Sequence, residues 1–444
     1  MSESRRVRVG LLSAVLIGAL VVVACAAPQA SQAPVSLRLQ VSLTADELNS
    51  FRPALQAIDD ANAGWTVALE EVPQGSEAER VTTLLAGNDM PDVLRLQGLT
   101  VQQWIRRDAF VDLDPRIASA NLDMADFYEE PLAQYRYADS VWGIPDLATP
   151  EVVYYNKQAF ADAGLDLPDD SWTYDDMREA AVALTTDTQG RHPHDPGFDP
   201  ESIERWGWNG GITYFWQNAF VKARGGELCV NPDCTEMNFT SEANQEAFDW
   251  WVGLVRNDHA ALYDPYGGSQ TGVPGDPFLA GRAAMGSNGS FAIGQLNTAG
   301  TVEYDIIPPL IGVDGSRPTP LSTFGYLISA TSTHPDESWQ LILALVDAGF
   351  LGETWGQPGH GVPARRSAAS SVIDDSHAPT NQQAILTAME SGEVFRPNTA
   401  NAFNAFGATG DLFTRMNTGE LEMLDALTQI ESAANDALAA DRSE

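Results

Sequence analysis

Aromatic side chains are concentrated in the segment Arg205–Trp216, where two tryptophans stand beside glycines and Phe215 and Trp216 follow closely. An indole or phenyl face can cover the apolar C–H surface of a sugar ring and leave the hydroxyls of the ring free for polar side chains. Glycines beside aromatic residues indicate a loop that holds rings toward an open surface, with Trp208 as the first candidate for stacking. The alternative is that Trp216 and Phe220 are core residues of a helix.

Motifs of hydrolytic and phosphoryl-transfer chemistry are absent from the sequence. With 61 acidic residues, carboxylate pairs occur throughout the chain and do not indicate a glycosidase. The sequence contains no Gly-x-Ser-x-Gly, HExxH or phosphate-loop pattern. The segment His192–Asp195 carries two histidines that could bind an ion, but its proline favours a turn. We therefore predict no catalytic residues, no metal and no cofactor.

The net charge of the chain is −36, and its only lysines are Lys157 and Lys222. Such a surface repels phosphate backbones, which excludes nucleic acid as a partner. We interpret the acidity as a contribution to solubility.

The first 25 residues have the features of an export signal. Three arginines precede the apolar run Val9–Ala24, which is short for a helix that spans a membrane. The run ends at Cys25 in a Val-Val-Ala-Cys sequence that resembles the lipobox of bacterial lipoproteins, in which the cysteine is acylated. An ordinary signal peptide with a fortuitous cysteine is the alternative, and Arg5–Arg6 leaves the general and the twin-arginine export routes both open. Residues 26–35 are expected to form a flexible tether.

The other two cysteines, Cys229 and Cys234, flank an Asn-Pro-Asp turn. Export places them in an oxidising compartment, so we predict a disulfide between them. A zinc site is the alternative, but it lacks a second Cys or His pair nearby in sequence.

The N-terminal part of the body alternates strands and helices. Apolar residues recur at every second position from Val35 to Leu43, and Thr44 with Glu47 forms a capping box for a following helix. Strands at 66–72 and 92–96 and a helix at 77–85 complete a β-α-β-α-β order, which favours a parallel sheet covered by helices. Thr173 begins another capped helix further along the chain. The 419 residues that follow Cys25 exceed one hydrophobic core and predict two domains.

Four sequence blocks, in this order and behind a lipobox, resemble the sugar-type extracellular solute-binding proteins of ABC importers, the family that includes maltose-binding protein. They contain, among other patterns, Pro-Asp-Val, Trp-Gly-Ile-Pro, Tyr-Tyr-Asn-Lys and Leu-Ala-Gly-Arg-Ala-Ala-Met. The blocks are Leu85–Val93, Trp142–Thr173, Phe278–Ser290 and Tyr304–Pro335.

The resemblance implies an α/β, two-lobed fold of the periplasmic-binding-protein type II, with a ligand cleft between lobes joined by hinge strands. The chain would cross between lobes near Leu147–Pro150, near Ile306–Pro309 and after Leu351. The N-terminal lobe would then comprise residues 36–147 and 310–351, and the C-terminal lobe residues 148–309 and 352–444.

The resemblance also implies which residues line the cleft. Phe291 stands where the family often has a tryptophan, and Arg396 lies in a segment that resembles a cleft edge of the family. Tyr155 and Asn156 are interpreted as structural. The complete set of predicted ligand-binding residues is Gln97, Thr149, Trp208, Phe215, Trp216, Asn288, Phe291, Phe324 and Arg396.

The implied function is capture of a small ligand, a sugar or oligosaccharide, on the outer side of the membrane and its delivery to ABC permease subunits. The expected protein is a monomer, held at the membrane by its lipid or free in a periplasm. A secreted carbohydrate-active enzyme and a scaffold lipoprotein without a small ligand are the competing hypotheses.

Overall fold

The structure is a computed structural model that describes residues 34–210, 217–232, 234–263, 277–374, 376–393 and 409–441. Helices and strands alternate from the beginning of this range. The first elements are β1 (Val35–Val41), α1 (Ala45–Ala61), β2 (Trp65–Glu71), α2 (Glu77–Gly87), β3 (Val93–Gln97), α3 (Gly98–Ile105), α4 (Asp114–Ala120), α5 (Glu129–Ala133), β4 (Arg136–Tyr137), β5 (Ser140–Val141) and β6 (Ile144–Asn156).

The middle of the chain continues in the same way. Its elements are α6 (Lys157–Ala163), α7 (Tyr174–Leu184), β7 (Thr186–Asp187), β8 (Ile203–Asn209), α8 (Gln217–Ala223), α9 (Glu242–Val252), β9 (Ala261–Leu262), β10 (Ala283–Gly289), α10 (Ala292–Ala299), β11 (Tyr304–Ile307) and β12 (Thr319–Ile328).

The C-terminal part is mainly helical. Its elements are α11 (Pro335–Leu345), α12 (Ala348–Leu351), β13 (Val362–Pro363), α13 (Arg366–Ala369), α14 (Gln383–Ser391), β14 (Gly392–Glu393), α15 (Gly410–Thr418) and α16 (Met423–Asp441). None of the helices in the described ranges is long and apolar enough to cross a membrane.

Local sequence signals account for the ends of several helices. The Thr44 hydroxyl accepts the Glu47 N–H, and the Glu47 carboxylate accepts the Thr44 N–H, so the predicted capping box forms. Thr173 and Asp176 make the same pair at the start of α7. Asn88 ends α2 in the left-handed conformation. The predicted β-α-β-α-β order is confirmed, because β1 pairs in parallel with both β2 and β3.

Two groups of strands form the two lobes. The first has the order β2-β1-β3-β12-β6, and the second runs from β6 through β10 and β8 to β7. β6 belongs to both groups, because its Ile144–Pro150 part pairs with β12 and its Glu151–Tyr155 part pairs with β10. The crossing predicted near Leu147–Pro150 therefore coincides with the change of partner strand along β6. One hydrophobic core covers the first group and another covers the second, and a third contains residues from both parts of β6.

Near the other two predicted crossings, the observed contacts differ from those that the predicted lobe ranges imply. The N–H groups of Ile311 and Val313 donate to the carbonyl oxygens of Trp172 and Ala223, so this segment stays with the second lobe until β12 begins. Trp355 packs in the core of the first lobe, and β13 pairs with the first-lobe part of β6. Contacts between residues far apart in the sequence decide both positions.

The aromatic segment that begins at Arg205 was predicted to be a loop, and its first part is the strand β8. A Cβ atom on Gly207 would lie 1.9 Å from the carbonyl oxygen of Ala181 in α7. The absence of a side chain thus allows β8 to lie directly against the backbone of this helix. The glycine marks close helix–strand packing rather than an open loop.

A disulfide joins Cys229 and Cys234, whose Cα atoms are 4.8 Å apart. Cys234 is buried in the second-lobe core. The predicted positions Cys25, Phe215, Trp216 and Arg396 lie outside the described residues.

Candidate functional site

The first wall of the candidate site lies at the carboxyl end of β3. Gln97, the last residue of this strand, stands opposite Phe324 of β12, and its Nε2 donates a hydrogen bond of 2.9 Å to Ser322 Oγ. Ser322 stands opposite Thr149 of β6. Because opposite residues of antiparallel strands share a face of the sheet, Gln97, Thr149 and Phe324 lie together. Ligands of open α/β sheets bind outside the carboxyl ends of such strands.

A buried ion pair of Arg95 and Asp146 packs against Phe324 of this wall. Arg95 Nε lies 2.7 Å from Asp146 Oδ2, and the two side chains are 1% and 0% exposed. The Arg95 guanidinium carbon lies 4.5 Å from the ring centres of both Phe324 and Trp355. Burial is the largest single influence and disfavours the charge, but the fields of Asp146, Tyr326 and Glu47 and the hydrogen bond to Asp146 together raise the pKa of Arg95. Phe324 therefore rests on a permanently charged, immobilised guanidinium.

The second wall is formed by the end of β10 and the beginning of α10. Asn288 is 1% exposed and stands opposite Val152 of β6, and its Oδ1 accepts the N–H of Gly289 at 2.7 Å. A Cβ atom on Gly289 would lie 2.4 Å from the ring of Phe291, so this ring packs directly on the glycine backbone. Phe291 is partly buried and immediately precedes α10.

The two walls meet at Pro150. The N–H of Ser290, between Asn288 and Phe291, donates to the carbonyl oxygen of Pro150 at 3.1 Å. Thr149 of the first wall is the residue before this proline. The change of partner strand along β6 therefore brings the end of β10 next to Thr149 through the backbone, while Asn288, opposite Val152, lies on the other face of β6 from Thr149.

Trp208 was predicted to stack on the ligand, and the structure shows its side chain buried in the second lobe. It is 5% exposed and belongs to the hydrophobic core of the second lobe. Its strand neighbours are Met285 of β10 and Ala261 of β9. This burial supports a role in core packing, and stacking of Trp208 on a ligand stays a prediction.

Sequence reasoning missed several buried polar residues near the crossing. Glu151 of β6 is 4% exposed, and its Oε2 accepts a hydrogen bond of 3.2 Å from Ser287 Oγ. Asn209, at the end of β8, is 1% exposed and stands opposite Gly286 of β10. Glu151 is one of two carboxylates in β6, and Asp146 is already paired with Arg95, so a second carboxylate in this strand was the available signal, because buried carboxylates are rare unless they are paired or functional.

The histidines of the predicted turn are held by different partners. His192 Nδ1 lies 2.9 Å from the carbonyl oxygen of Thr185, and His194 Nε2 lies 3.7 Å from Asp258 Oδ1. In the part of the chain that the structure describes, no three His, Cys, Asp or Glu side chains are grouped as metal ligands.

The two walls of the candidate site carry hydrogen-bonding amides and hydroxyls beside aromatic rings. This combination suits recognition of a neutral polar molecule.

Solved structures share this architecture. An ABC substrate-binding protein from Listeria monocytogenes, solved in complex with cycloalternan, has 19% sequence identity and a TM-score of 0.78, with 91% of this chain and 99% of that one covered. The cyclic α-maltosyl-1,6-maltose binding protein from Arthrobacter globiformis has 17% identity and a TM-score of 0.75, with coverage of 92% and 100%. The sugar-binding protein MalE from Xanthomonas citri has 16% identity and a TM-score of 0.75, with coverage of 92% and 98%. These similarities establish the two-lobed fold.

The sequence itself gives the family. No curated protein sequence matches the chain. Residues 45–349, more than half of its length, match the profile of the family described as bacterial extracellular solute-binding protein. The match contains both walls of the candidate site and the crossing strand between them. The chain therefore belongs to the bacterial extracellular solute-binding protein family.

Proposed function

We propose that the protein captures a sugar or oligosaccharide outside the cytoplasm and delivers it to the permease of an ABC importer. The observation that carries this proposal is the junction at Pro150, where the backbone of Ser290 at the end of β10 hydrogen-bonds to the strand that carries Thr149. The proteins of similar fold that were solved with, or named for, oligosaccharides support the choice of ligand class.

Binding would be coupled to closure of the lobes. A ligand held by Gln97 and Thr149 on one wall and by Phe291 on the other gains its full contacts only when the walls approach each other. The closed form is then favoured by these extra contacts, as in any ligand-driven shift between two conformations. The ring faces of Phe291 and Phe324 would cover apolar sugar C–H surface.

The arrangement favours binding without chemical conversion. The residues of the two walls are amides, hydroxyls and phenyl rings, which recognise hydroxyl groups but are weak acids and bases. Arg95 and Asp146 are paired and buried below the wall. We infer a monomeric binding protein with a permease as its partner, rather than an enzyme or a scaffold.

Anchoring through Cys25 is part of the proposal. Cys25→Ser removes the thiol that would be acylated, so palmitate labelling of the exported protein should disappear and an uncleaved precursor should accumulate. Metabolic labelling and the mass of the mature N-terminus measure both effects. The variant Cys229→Ser, which changes a cysteine far from the signal, serves as the control and should keep its label. Unchanged labelling of Cys25→Ser would contradict the anchor.

A thermal-shift panel of mono- and oligosaccharides on the chain from residue 36 onward tests the function. A sugar present at about 100 times its dissociation constant stabilises the folded state by about 2.7 kcal/mol. Thr149→Val keeps the side-chain volume but removes the hydroxyl, so the best ligand should bind about tenfold to a hundredfold more weakly, as expected when one hydrogen bond to a buried polar group is lost.

The matched control is Thr428→Val, on the exposed surface of α16, which should bind the same ligand with unchanged affinity. Calorimetry measures both dissociation constants. A panel without any shift would overturn sugar capture, and equal affinities for Thr149→Val and the wild-type protein would remove Thr149 from the site.

A further inference from the structure

A short hairpin closed by the disulfide lies against the C-terminal helix α16. Its arms are residues 228–230 and 236–238, which are joined by two backbone hydrogen bonds of 2.9 Å. Cys229 stands opposite Met237 in these arms, and its disulfide to Cys234 links the first arm to the turn before the second. We refer to the two arms together with this bond as the disulfide hairpin.

Two side chains of α16 bind the backbone of the second arm and of the residues that follow it. Asn435 Oδ1 accepts the N–H of Met237 at 2.9 Å, and Asn435 Nδ2 donates to the Met237 carbonyl oxygen at 2.8 Å. Glu431 Oε2 accepts the N–H of Phe239 at 2.7 Å and the N–H and hydroxyl of Thr240 at 3.0 and 2.9 Å. Residues four positions apart share a face of a helix, so one face of α16 satisfies these backbone groups.

The base of the hairpin is held separately, by Asn244 of α9. This side chain is fully buried, and its Oδ1 accepts the N–H of Glu227 at 2.9 Å. Its Nδ2 donates to the carbonyl oxygens of Glu227 and Asn238 at 2.8 and 2.6 Å. The points where the chain enters and leaves the hairpin are therefore fixed without the cysteines, whereas the pairing of the arms beyond them is not.

The disulfide favours the paired arms over open conformations. A two-stranded hairpin of this length is at best marginally stable by itself in water. A cross-link removes open conformations that would compete with the paired one. Met237 meets Asn435 only when the second arm is in place, so docking of α16 is linked to the state of the cysteines.

The two halves of α16 differ in what holds them. Leu427 and Ile430 are fully buried in the second-lobe core and hold the first half. The second half, residues 431–441, buries Ala434 and Leu438 and otherwise depends on its bonds to the hairpin and the residues after it. We therefore expect the second half to respond most to a change in the hairpin.

We propose that the disulfide hairpin and the second half of α16 form a redox-sensitive clamp, which closes when Cys229 and Cys234 become joined. In this step the two thiols lose two protons and two electrons, and the S–S bond between them forms. The electrons pass to the disulfide of a thiol-oxidising protein, which is reduced to two thiols. The clamp would be open in a reduced precursor inside the cell and closed in the exported protein. It operates independently of any ligand.

Hydrogen exchange measured by mass spectrometry on the mature protein tests the clamp. Backbone amides of residues 431–441 should exchange about tenfold faster after reduction with a phosphine than in the oxidised protein. Exchange in α1, in the first lobe, should stay the same in both forms. Cys229→Ala combined with Cys234→Ala should behave like the reduced wild-type protein, and melting curves verify that this variant is folded.

A second measurement uses the reciprocity of coupled equilibria, by which loss of the α16 bonds must destabilise the disulfide. Glu431→Ala combined with Asn435→Ala should shift the equilibrium of the cysteines in dithiothreitol buffers about tenfold toward thiols, as counted by alkylation and mass spectrometry. Glu431→Gln keeps an oxygen acceptor and should retain most of the wild-type equilibrium. Gln429→Ala is the matched control, because Gln429 is exposed on the same helix and donates to Asp425 within it.

Either of two results would overturn the clamp. The first is equal exchange of residues 431–441 in the oxidised and reduced wild-type proteins. The second is the same thiol–disulfide equilibrium in the combined Glu431→Ala and Asn435→Ala variant as in Gln429→Ala, because the helix would then not be coupled to the cysteines. Both results leave sugar capture intact, since the panel of sugars tests that function separately.

Discussion

Arg95→Met is expected to lower the free energy of unfolding by about 3–5 kcal/mol, because it leaves the Asp146 carboxylate buried without its partner. The pair is almost completely excluded from solvent, so water cannot replace the lost hydrogen bond. Arg95 also packs between Phe324 and Trp355, and its loss removes both ring contacts. Urea unfolding of the ligand-free protein, followed by circular dichroism, measures the change.

Two further variants isolate the charge effect. Arg95→Met combined with Asp146→Asn removes both charges, so it should be less destabilised than the sum of the single variants. Arg52→Met breaks the exposed pair of Arg52 and Glu71, whose side chains are 56% and 38% exposed, and should cost at most about 1 kcal/mol. Equal losses in Arg95→Met and Arg52→Met would show that the buried pair has no special role.

Trp208→Ala is expected to destabilise the ligand-free protein by about 3–5 kcal/mol, since it opens a large cavity in the second-lobe core. The melting temperature should fall by several degrees. Affinity for the best panel sugar, measured by calorimetry well below the melting temperature, should change by less than about tenfold, because the indole is buried within the lobe.

Trp206→Ala is the matched control for this variant. Trp206 is in the same strand two positions earlier, but it is only partly buried and lies outside the core cluster. Its loss of stability should be smaller. If Trp208→Ala keeps its melting temperature and loses affinity about a hundredfold, Trp208 is a ligand platform and the inference from its burial is wrong.

Much of the first lobe is readable from the sequence, because its signals are local. A capping box uses residues three positions apart, and the alternation that predicts β1 requires only neighbouring residues. The family blocks likewise combine local turns and strand ends. The resemblance to the family in these blocks is also what predicts Gln97, Thr149, Asn288 and Phe291 as residues that line the cleft, and that role stays a prediction.

The sequence could not reveal which strands pair or which side chains become buried. Arg95 and Asp146 are 51 residues apart, and only the pairing of β3, β12 and β6 brings them together. Gly207 and Trp208 look like parts of an exposed aromatic loop when read locally, yet contact with α7 makes the first a close-packing position and the second a core residue.

The sequence by itself therefore determined the α/β order of the first lobe, its capped helices and the family. The tertiary structure decided the lobe boundaries, the junction of the two walls at Pro150 and the contact of α16 with the disulfide hairpin. The physical reason is the range of the interactions concerned. Backbone conformation and helix capping depend on residues a few positions apart, whereas strand pairing and burial depend on contacts between residues tens to hundreds of positions apart.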